Sequence, residues 1–468
     1  YGKIESVSIF NQGEGYDVVN PPRIKIEDST VSTATTALAE PVITGTVKEV
    51  LVETQNFDID QCRSVSLVGG NGKGCLLEPE VGPRFRQMKF DSQDSLFNGG
   101  VDPVNEVIRF IDTHGLRDGE RIFYNSNGND AIGIGAFQSG ATTVSDYLVN
   151  GAPYYVNVLN DRNIRLFNTP EDALTGSTGI NTIGFSTTSN GVHIFRTEPR
   201  NTLRSVKVVN SGSGYSYKKV IVPPVGISTS YDLVQFENHG FKEGDIIKYD
   251  TMEYDGFSDP IQELNTTSEY RVVKIDDNAF RLSDGVDDYK RGKYVNLTST
   301  GTGYNVFKYP DITVTASVTY KSNKAVGTIN FTPIVTGTIT GIDLYEKGNK
   351  YGSEVINHNR DPEGYVQNGK EAELKAIVSD GKIIDVYVLN KGKEYYSLPE
   401  IKLTGSGTGA KFKPVVSDGQ LTEVTVINEG IGYSQSDTFI VAESRGKNGF
   451  VKPRISNFNV DIASRRSN

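Results

Sequence analysis

The sequence predicts a mainly β chain: a multi-domain array of small antiparallel β modules, sandwich-like or barrel-like, with internal repeats and very little helix. Three observations predict it. A thirteen-residue phrase occurs five times without gap or insertion. Gly is abundant at 49 residues, beside 24 Tyr and 21 Phe. Runs of Ala, Leu, Glu and Lys at helical spacing are missing. A phrase repeated this faithfully is a building unit used several times, not an active site built once. Glycine and aromatic residues favour strands joined by tight turns.

The phrase opens on Ile4, Leu203, Ile339, Ile383 or Leu421 and closes on Tyr16, Tyr215, Tyr351, Tyr395 or Tyr433. Apolar residues stand three and five positions after the opening, Asn seven positions after it in four copies, with Glu346 in the other. Val386-x-Val388 and Val424-x-Val426 alternate as a half-buried strand does. The three-residue step back to Ile383 or Leu421 breaks that alternation, so a bulge or bend is expected there. Gly nine positions after the opening supplies the positive φ of a reversal. The closing Tyr is read as packing over the turn; a sugar-stacking row commonly leans on Trp, which is absent. A further strand follows, as in Pro22-Arg-Ile24-Lys-Ile26 and Pro399-Glu-Ile401-Lys-Leu403.

The last two copies form a tandem with a period of 38 residues, in which Asp380-Gly381 and Asp418-Gly419 are hairpin signals. Two degenerate copies fit the template. Residues 37–52 read as a front half, with Thr44-Gly45 where Asp-Gly would stand. Thr302-Gly303-Tyr304, followed by Pro310-Asp-Ile312-Thr-Val314, reads as a back half.

Between these units lies a second repeated module. His114-Gly-Leu-x-x-Gly119-Glu-x-Ile122-x-Tyr124 matches His239-Gly-Phe-x-x-Gly244-Asp-x-Ile247-x-Tyr249. Both copies run on to Tyr155 or Tyr270 and then Leu166 or Leu282, and each is expected to be a small barrel or sandwich of four to six strands. One short helical turn is expected near residues 169–174. The domain reading is 1–88 (β repeat module), 89–200 and 229–298 (inserted His-Gly modules), 201–228 (repeat strand segment), 299–370 (β repeat module), 371–446 (tandem repeats) and 447–468 (tail).

A net charge of −10 and a pI near 5.2 speak against nucleic acid as a partner. Arg465-Arg466 is the sole basic cluster. No apolar run approaches the roughly 18 residues of a membrane span. The start at Tyr1 without Met points to a processed product or a piece of something longer. Cys62 and Cys75 flank Gly69-Gly-Asn-Gly-Lys-Gly74; a hairpin would bring them within disulfide reach, but free thiols are the expected state.

Of His114, His193, His239 and His358, the first and third each follow an acid by two residues, Asp112 and Glu237, an arrangement that orients a working imidazole. With no nucleophile or third ligand nearby, a His-Gly turn with local bonding is expected instead. Gly69 to Gly74 lacks the Lys-Ser/Thr ending and the following helix of a phosphate loop. The acids of residues 284–288 and 58–60 lack the spacing of a calcium loop. Asn265, Asn296 and Asn330 form glycosylation sequons that matter only in a secreted eukaryotic chain. No catalytic, cofactor-binding or metal residue is assigned, and no cofactor is expected.

The alternation of Asn-x-Gly-x-Gly-Tyr units (residues 11–16, 210–215, 390–395, 428–433) with His-Gly units (114–124, 239–249) resembles virion structural proteins of contractile-tailed bacteriophages, particularly T4-like marine cyanophages. The units and their flanking strands cover well over half the chain. The resemblance implies a tail, baseplate or tail-fibre component. Its role would be that of an oligomeric assembly scaffold rather than an enzyme, partnered by its own copies and other virion tail proteins. Its place would be the virion, assembled in the host bacterial cytoplasm. Two alternatives stand beside it. One is a receptor-binding fibre or adhesin whose loop tyrosines, such as Tyr154 and Tyr254, meet a host surface glycan. The other is a polysaccharide-degrading β-helical tailspike, against which the Asp-Gly hairpins speak.

Overall fold

The computed structural model describes residues 3–27, 37–53, 58–93, 100–110, 113–135, 137–138, 141–142, 146–176, 181–186, 189–253, 256–321, 324–347 and 363–455. The chain is mainly β, with two short helices, Pro170–Thr175 and Gly285–Lys290, among the described residues. The first is the helix expected near residue 170, capped by Thr169 and stopped by Gly176 at φ +62°. The second was not anticipated. Every strand ladder among the described residues is antiparallel, so the stacked parallel coils of a β-helix do not occur there.

All five copies of the phrase form a long strand paired with another long strand. Ile4–Glu14 pairs with Lys447–Ile455, Arg200–Ser213 with Lys73–Arg84, and Pro333–Glu346 with Leu38–Val50. Lys382–Lys393 pairs with Lys370–Ser379, and Gln420–Ile431 with Thr408–Ser417. Only the last two pairs are hairpins. Asp380-Gly381 (φ +51° and +73°) and Asp418-Gly419 (φ +52° and +73°) close them with both central residues left-handed, the turn whose twist matches the strands.

The bulge expected after the opening residue is present in every copy. Register slips by one residue at Glu5, Arg204, Thr340, Ile384 and Thr422, and again at Phe10, Val209, Tyr345, Leu389 and Ile427. The first slip turns a three-residue step into an in-facing pair. Accordingly Ile4, Leu203, Ile339, Ile383 and Leu421 are all 0% exposed.

Two expectations about the degenerate copies are corrected. Thr44-Gly45 is not a turn but mid-strand, with Gly45 facing Gly337. A Cβ on Gly45 would lie 2.2 Å from the Thr336 carbonyl oxygen, so glycine there serves close approach of two backbones. Tyr304 belongs to the strand Tyr304–Lys308, which closes the second His-Gly module, and Gly303 permits its approach to Met252.

Each His-Gly module is one seven-stranded antiparallel sheet, larger than the four to six strands expected. Across the first sheet the strands are Gln87–Asp91, Val192–Thr197, Arg121–Asn125, Pro153–Val158, Asn163–Phe167, Val107–Arg109 and Gly100–Asp102. The second sheet runs Lys219–Val222, Tyr304–Lys308, Ile246–Met252, Glu269–Lys274, Ala279–Asp284, Leu233–Gln235 and Ile227–Ser228, the same connectivity strand for strand. Each wraps its own core, around Phe90, Ile122 and Phe195 in one and Val272, Phe280 and Phe307 in the other. The first occupies the place of a hairpin turn between the paired strands Lys73–Arg84 and Arg200–Ser213.

The bulges make a prediction. Ile4→Ala should lower stability by about 2–5 kcal/mol as a large-to-small core change, whereas Glu5→Ala at the slipped position should stay within about 0.5 kcal/mol. Thermal melting of the two variants beside the parent chain checks it.

Candidate functional site: glycine–tyrosine clasps and module joints

In the four copies whose closing Tyr lies among the described residues, its ring is held between two glycines. Gly13, Gly212, Gly392 and Gly430, at φ between +59° and +63°, stand on one side. A Cβ on any of them would fall 2.6–2.9 Å from Cε2 of Tyr16, Tyr215, Tyr395 or Tyr433. On the other side Gly446, Gly72, Gly369 and Gly407 lead into the paired strand, where a Cβ would come within 2.0–2.3 Å of Cδ1 of the same rings. Real Cβ atoms do not approach that closely, so neither glycine can be replaced without moving the ring.

The hydroxyls are tied as uniformly. The main-chain N–H of Gly449 donates to Tyr16 at 2.8 Å and that of Ala410 to Tyr433 at 3.3 Å. Cys75 and Ala372 donate likewise to Tyr215 and Tyr395. Every donor lies three residues after its clamping glycine. Burial pushes the phenols of Tyr16, Tyr215 and Tyr395 up, with the amide bond opposing. The repeated Asn completes the clasp: Oδ1 of Asn11, Asn210, Asn390 and Asn428 accepts from the N–H of the glycine two residues on, at 2.9–3.0 Å.

In each His-Gly turn the imidazole makes one local bond, as expected, and one to a carbonyl of a distant loop. His114 Nε2–H donates to the Asn160 carbonyl at 2.8 Å while its Nδ1 accepts from Leu116 N–H at 3.0 Å. His239 repeats this with Asp276 at 2.9 Å and Phe241 at 3.1 Å. Both ring nitrogens are therefore engaged with main chain, and Glu237 is exposed. Asp112 and His358 lie outside the described residues. The third buried imidazole, His193, bonds Tyr124 Oη at 2.7 Å and the Asn190 carbonyl at 3.2 Å. Asn305 takes its place in the second module, accepting from Tyr249 Oη at 2.8 Å. In both modules that tyrosine also takes an N–H, from Ile132 or Ile261. Burial pushes Tyr249 up to about 12.

The remaining sequence candidates are engaged in packing and local bonding. Gly72 of the glycine-rich loop clamps Tyr215, and the Asn71 side chain bonds both Ile246 N–H (3.0 Å) and Ile246 C=O (2.9 Å), stitching the loop to the second module. Cys62 and Cys75 are free thiols on strands of different ladders, and burial pushes both up. Asp58 pairs with Arg117 and Arg200, and Asp60 with Lys324. Asp284 stands at the N-cap position of the helix Gly285–Lys290, which carries Asp287 and Asp288, without a side-chain capping bond. Tyr154 is corrected as a glycan contact: it is a buried strand residue whose Oη accepts Val149 N–H at 2.9 Å. Tyr254 lies outside the described residues.

Charged pairs hold the modules to the ladders. Lys218 reaches both oxygens of Asp343, at 3.0 and 3.1 Å, with both side chains buried. Burial pushes the Asp343 carboxyl up, and the Lys218 ammonium opposes it. Glu429 of the last hairpin meets Arg196 of the first module at 3.3 Å and Lys382 at 3.7 Å. Neither joint is legible in the sequence, because Lys218 and Asp343, and Arg196 and Glu429, are each more than a hundred residues apart. The clamping glycines carried a usable signal: Gly369 and Gly407 recur at the same 38-residue period as the tyrosines they hold.

Two predictions follow from this geometry. Gly369→Ala should destabilise the tandem hairpins by about 1–3 kcal/mol through overpacking, more than Tyr395→Phe, which removes one hydrogen bond of about 1 kcal/mol. Hydrogen exchange in residues 370–393 separates the two. Burial holds the His114, His193 and His239 imidazoles below their ordinary value. The unfolded chain therefore takes up protons below roughly pH 6.5 that the folded chain resists. Stability should be full above that pH and fall as pH drops toward 5, and His239→Gln, although less stable at pH 7.5, should show a shallower loss in melting scans at pH 7.5 and 5.5.

No family model, no curated protein and no solved structure matches the chain.

Proposed function

We propose that the chain is a structural component of a bacteriophage tail, from the baseplate or tail-fibre region, acting as an oligomeric assembly scaffold and not as an enzyme. The observation that supports this best is the fourfold recurrence of one clasp, with the same two glycines, tyrosine, asparagine and amide donor each time. Chemistry is built at one place, whereas a joint repeated atom for atom sets shape. Large apolar side chains on the outer strands add to it. Phe10 is 77% exposed, edge-on to Phe450 at 5.7 Å, and Leu389, Ile431 and Phe439 also face solvent. Such apolar surface suits further subunits better than water. Its partners would be copies of itself and other virion tail proteins, in closed rotational symmetry, and its location the virion.

Mass spectrometry of purified particles should find the polypeptide at a fixed copy number. Light scattering of the isolated chain should give a defined multiple of 51.2 kDa. A monodisperse monomer that binds no other virion protein would overturn the reading.

A further inference from the structure

We propose that Lys218 and Asp343 close spontaneously into an isopeptide bond, a covalent tie between the second His-Gly module and the ladder of Pro333–Glu346 with Leu38–Val50. This goes beyond the scaffold reading and stands whether or not that reading holds. Nζ of Lys218 lies 3.0 and 3.1 Å from the two oxygens of Asp343. A nitrogen that near both oxygens stands within roughly 3.5 Å of the carbon they share, the separation of a near-attack pair. Held so, an amine and a carboxyl meet at effective concentrations of roughly 10⁵–10⁸ M.

Charge ordinarily stops the reaction, since an ammonium offers no lone pair and a carboxylate is a poor acceptor of one. Here the two side chains are only 6% and 10% exposed, whereas those of the surface pair Lys324–Asp60 are 68% and 43% exposed. Burial disfavours the charged forms. It pushes the Asp343 carboxyl up, against the opposing pull of Lys218. A proton passed from Nζ to Oδ leaves a neutral amine facing a neutral acid, the two forms that combine. Tyr217, Tyr309 and Tyr345 stand around the pair. Burial pushes each phenol up, with Glu40 or Asp343 among the carboxylates that add to it.

The reaction also needs a proton carrier, and Glu40 is placed to be one. It stands directly opposite Asp343 in the ladder, which sets both side chains on one face with Cβ atoms about 4.5–5.5 Å apart. Lys219 Nζ holds its two oxygens at 3.2 and 3.1 Å, and Tyr345 donates its hydroxyl to the Lys219 carbonyl at 3.0 Å. Nζ attacks Cγ of Asp343. Glu40 takes the proton released as the C–N bond forms and delivers it to the departing hydroxyl, so that one water leaves. The Nζ–Cγ bond replaces one Cγ–Oδ bond, and nothing is oxidised or reduced. Exclusion of bulk water then opposes the return reaction.

Comparison of the two His-Gly modules isolates the reacting group. The turn His239-Gly240 roofs the lysine: a Cβ on Gly240, at φ +66°, would lie 2.9 Å from Lys218 Cε and Nζ. In the first module Gly115 covers Arg86, which like Lys218 stands one residue before the module's first strand. A guanidinium stays protonated and forms no such bond. The modules share the roof and differ in the nucleophile. The bond would join residues 125 apart in the chain, restricting the unfolded state as a disulfide does.

The test uses the whole chain, freshly folded and incubated at neutral pH, and reads its intact mass and its tryptic peptides. The chain should weigh one water less than its sequence requires, and a branched peptide should join the segment holding Lys218 to that holding Asp343. Lys218→Arg, which keeps the charge, should restore the full mass and melt below the parent. Glu40→Gln should slow the appearance of the branched peptide by roughly tenfold or more, with circular dichroism showing the same β content. Full mass in the folded parent chain after days of incubation, with Lys218 and Asp343 in separate linear peptides, would overturn the proposal. So would an equal loss of water from Lys218→Arg, or an unaltered rate in Glu40→Gln.

Discussion

The interaction on which the architecture depends is the insertion of a tyrosine ring between two glycine Cα atoms. A ring in that slot is almost wholly buried, and its hydroxyl takes one amide from the paired strand. The slot exists only because both flanking residues lack a Cβ. The glycine of the turn supplies a left-handed φ and an open face at one stroke, and the Asn two residues earlier holds that conformation by bonding its N–H. The donor amide always sits three residues beyond the second glycine, so the contact also sets register. A one-residue slip would turn the whole strand inside out; here the slip is instead built in twice, at fixed places.

Because the clasp fixes one end of four of the ladders, the other end is free to vary. In the tandem repeats that end is an Asp-Gly turn; between Arg84 and Arg200 it is an entire seven-stranded module. The scaffold tolerates this because loop closure costs grow only slowly with length, by about 0.6 kcal/mol per doubling. The inserted modules are then oriented by side chains, through the Asn71 amide on Ile246, the buried Lys218–Asp343 pair and the Glu429 cluster. A buried pair of this kind contributes little net stability but is costly to break on one side, which suits a joint that must hold one angle.

Much of the local structure was legible in the chain and little of the long-range pairing. The bulge could be read because Ile383 and Val386 stand three apart where a regular strand demands two or four. The turns could be read because Asp-Gly tolerates left-handed φ and few other pairs do. Pairing partners could not, since a strand's propensity says which face is apolar and nothing about which distant strand lies beside it. Hence Gly45 reads as a turn residue in the sequence although it serves close approach to Gly337, and Tyr304 reads as a repeat tyrosine although it begins a strand of the second module. The contact between the first module and the hairpin was illegible for the same reason: Phe85, Arg196 and Asp380 meet only after the hairpin docks on the module.

The strand Ile4–Glu14 finds its mate in Lys447–Ile455, and Tyr16 is locked by Gly446 and Gly449. During synthesis, therefore, the first ladder must wait unpaired through more than four hundred further residues, at 5–20 residues per second a delay of about 20–90 seconds. Contacts of such long separation slow folding. The waiting strand, with Phe10 outward, is an edge open to wrong partners, so synthesis in the presence of chaperones or of neighbouring copies should govern how much correctly closed product emerges.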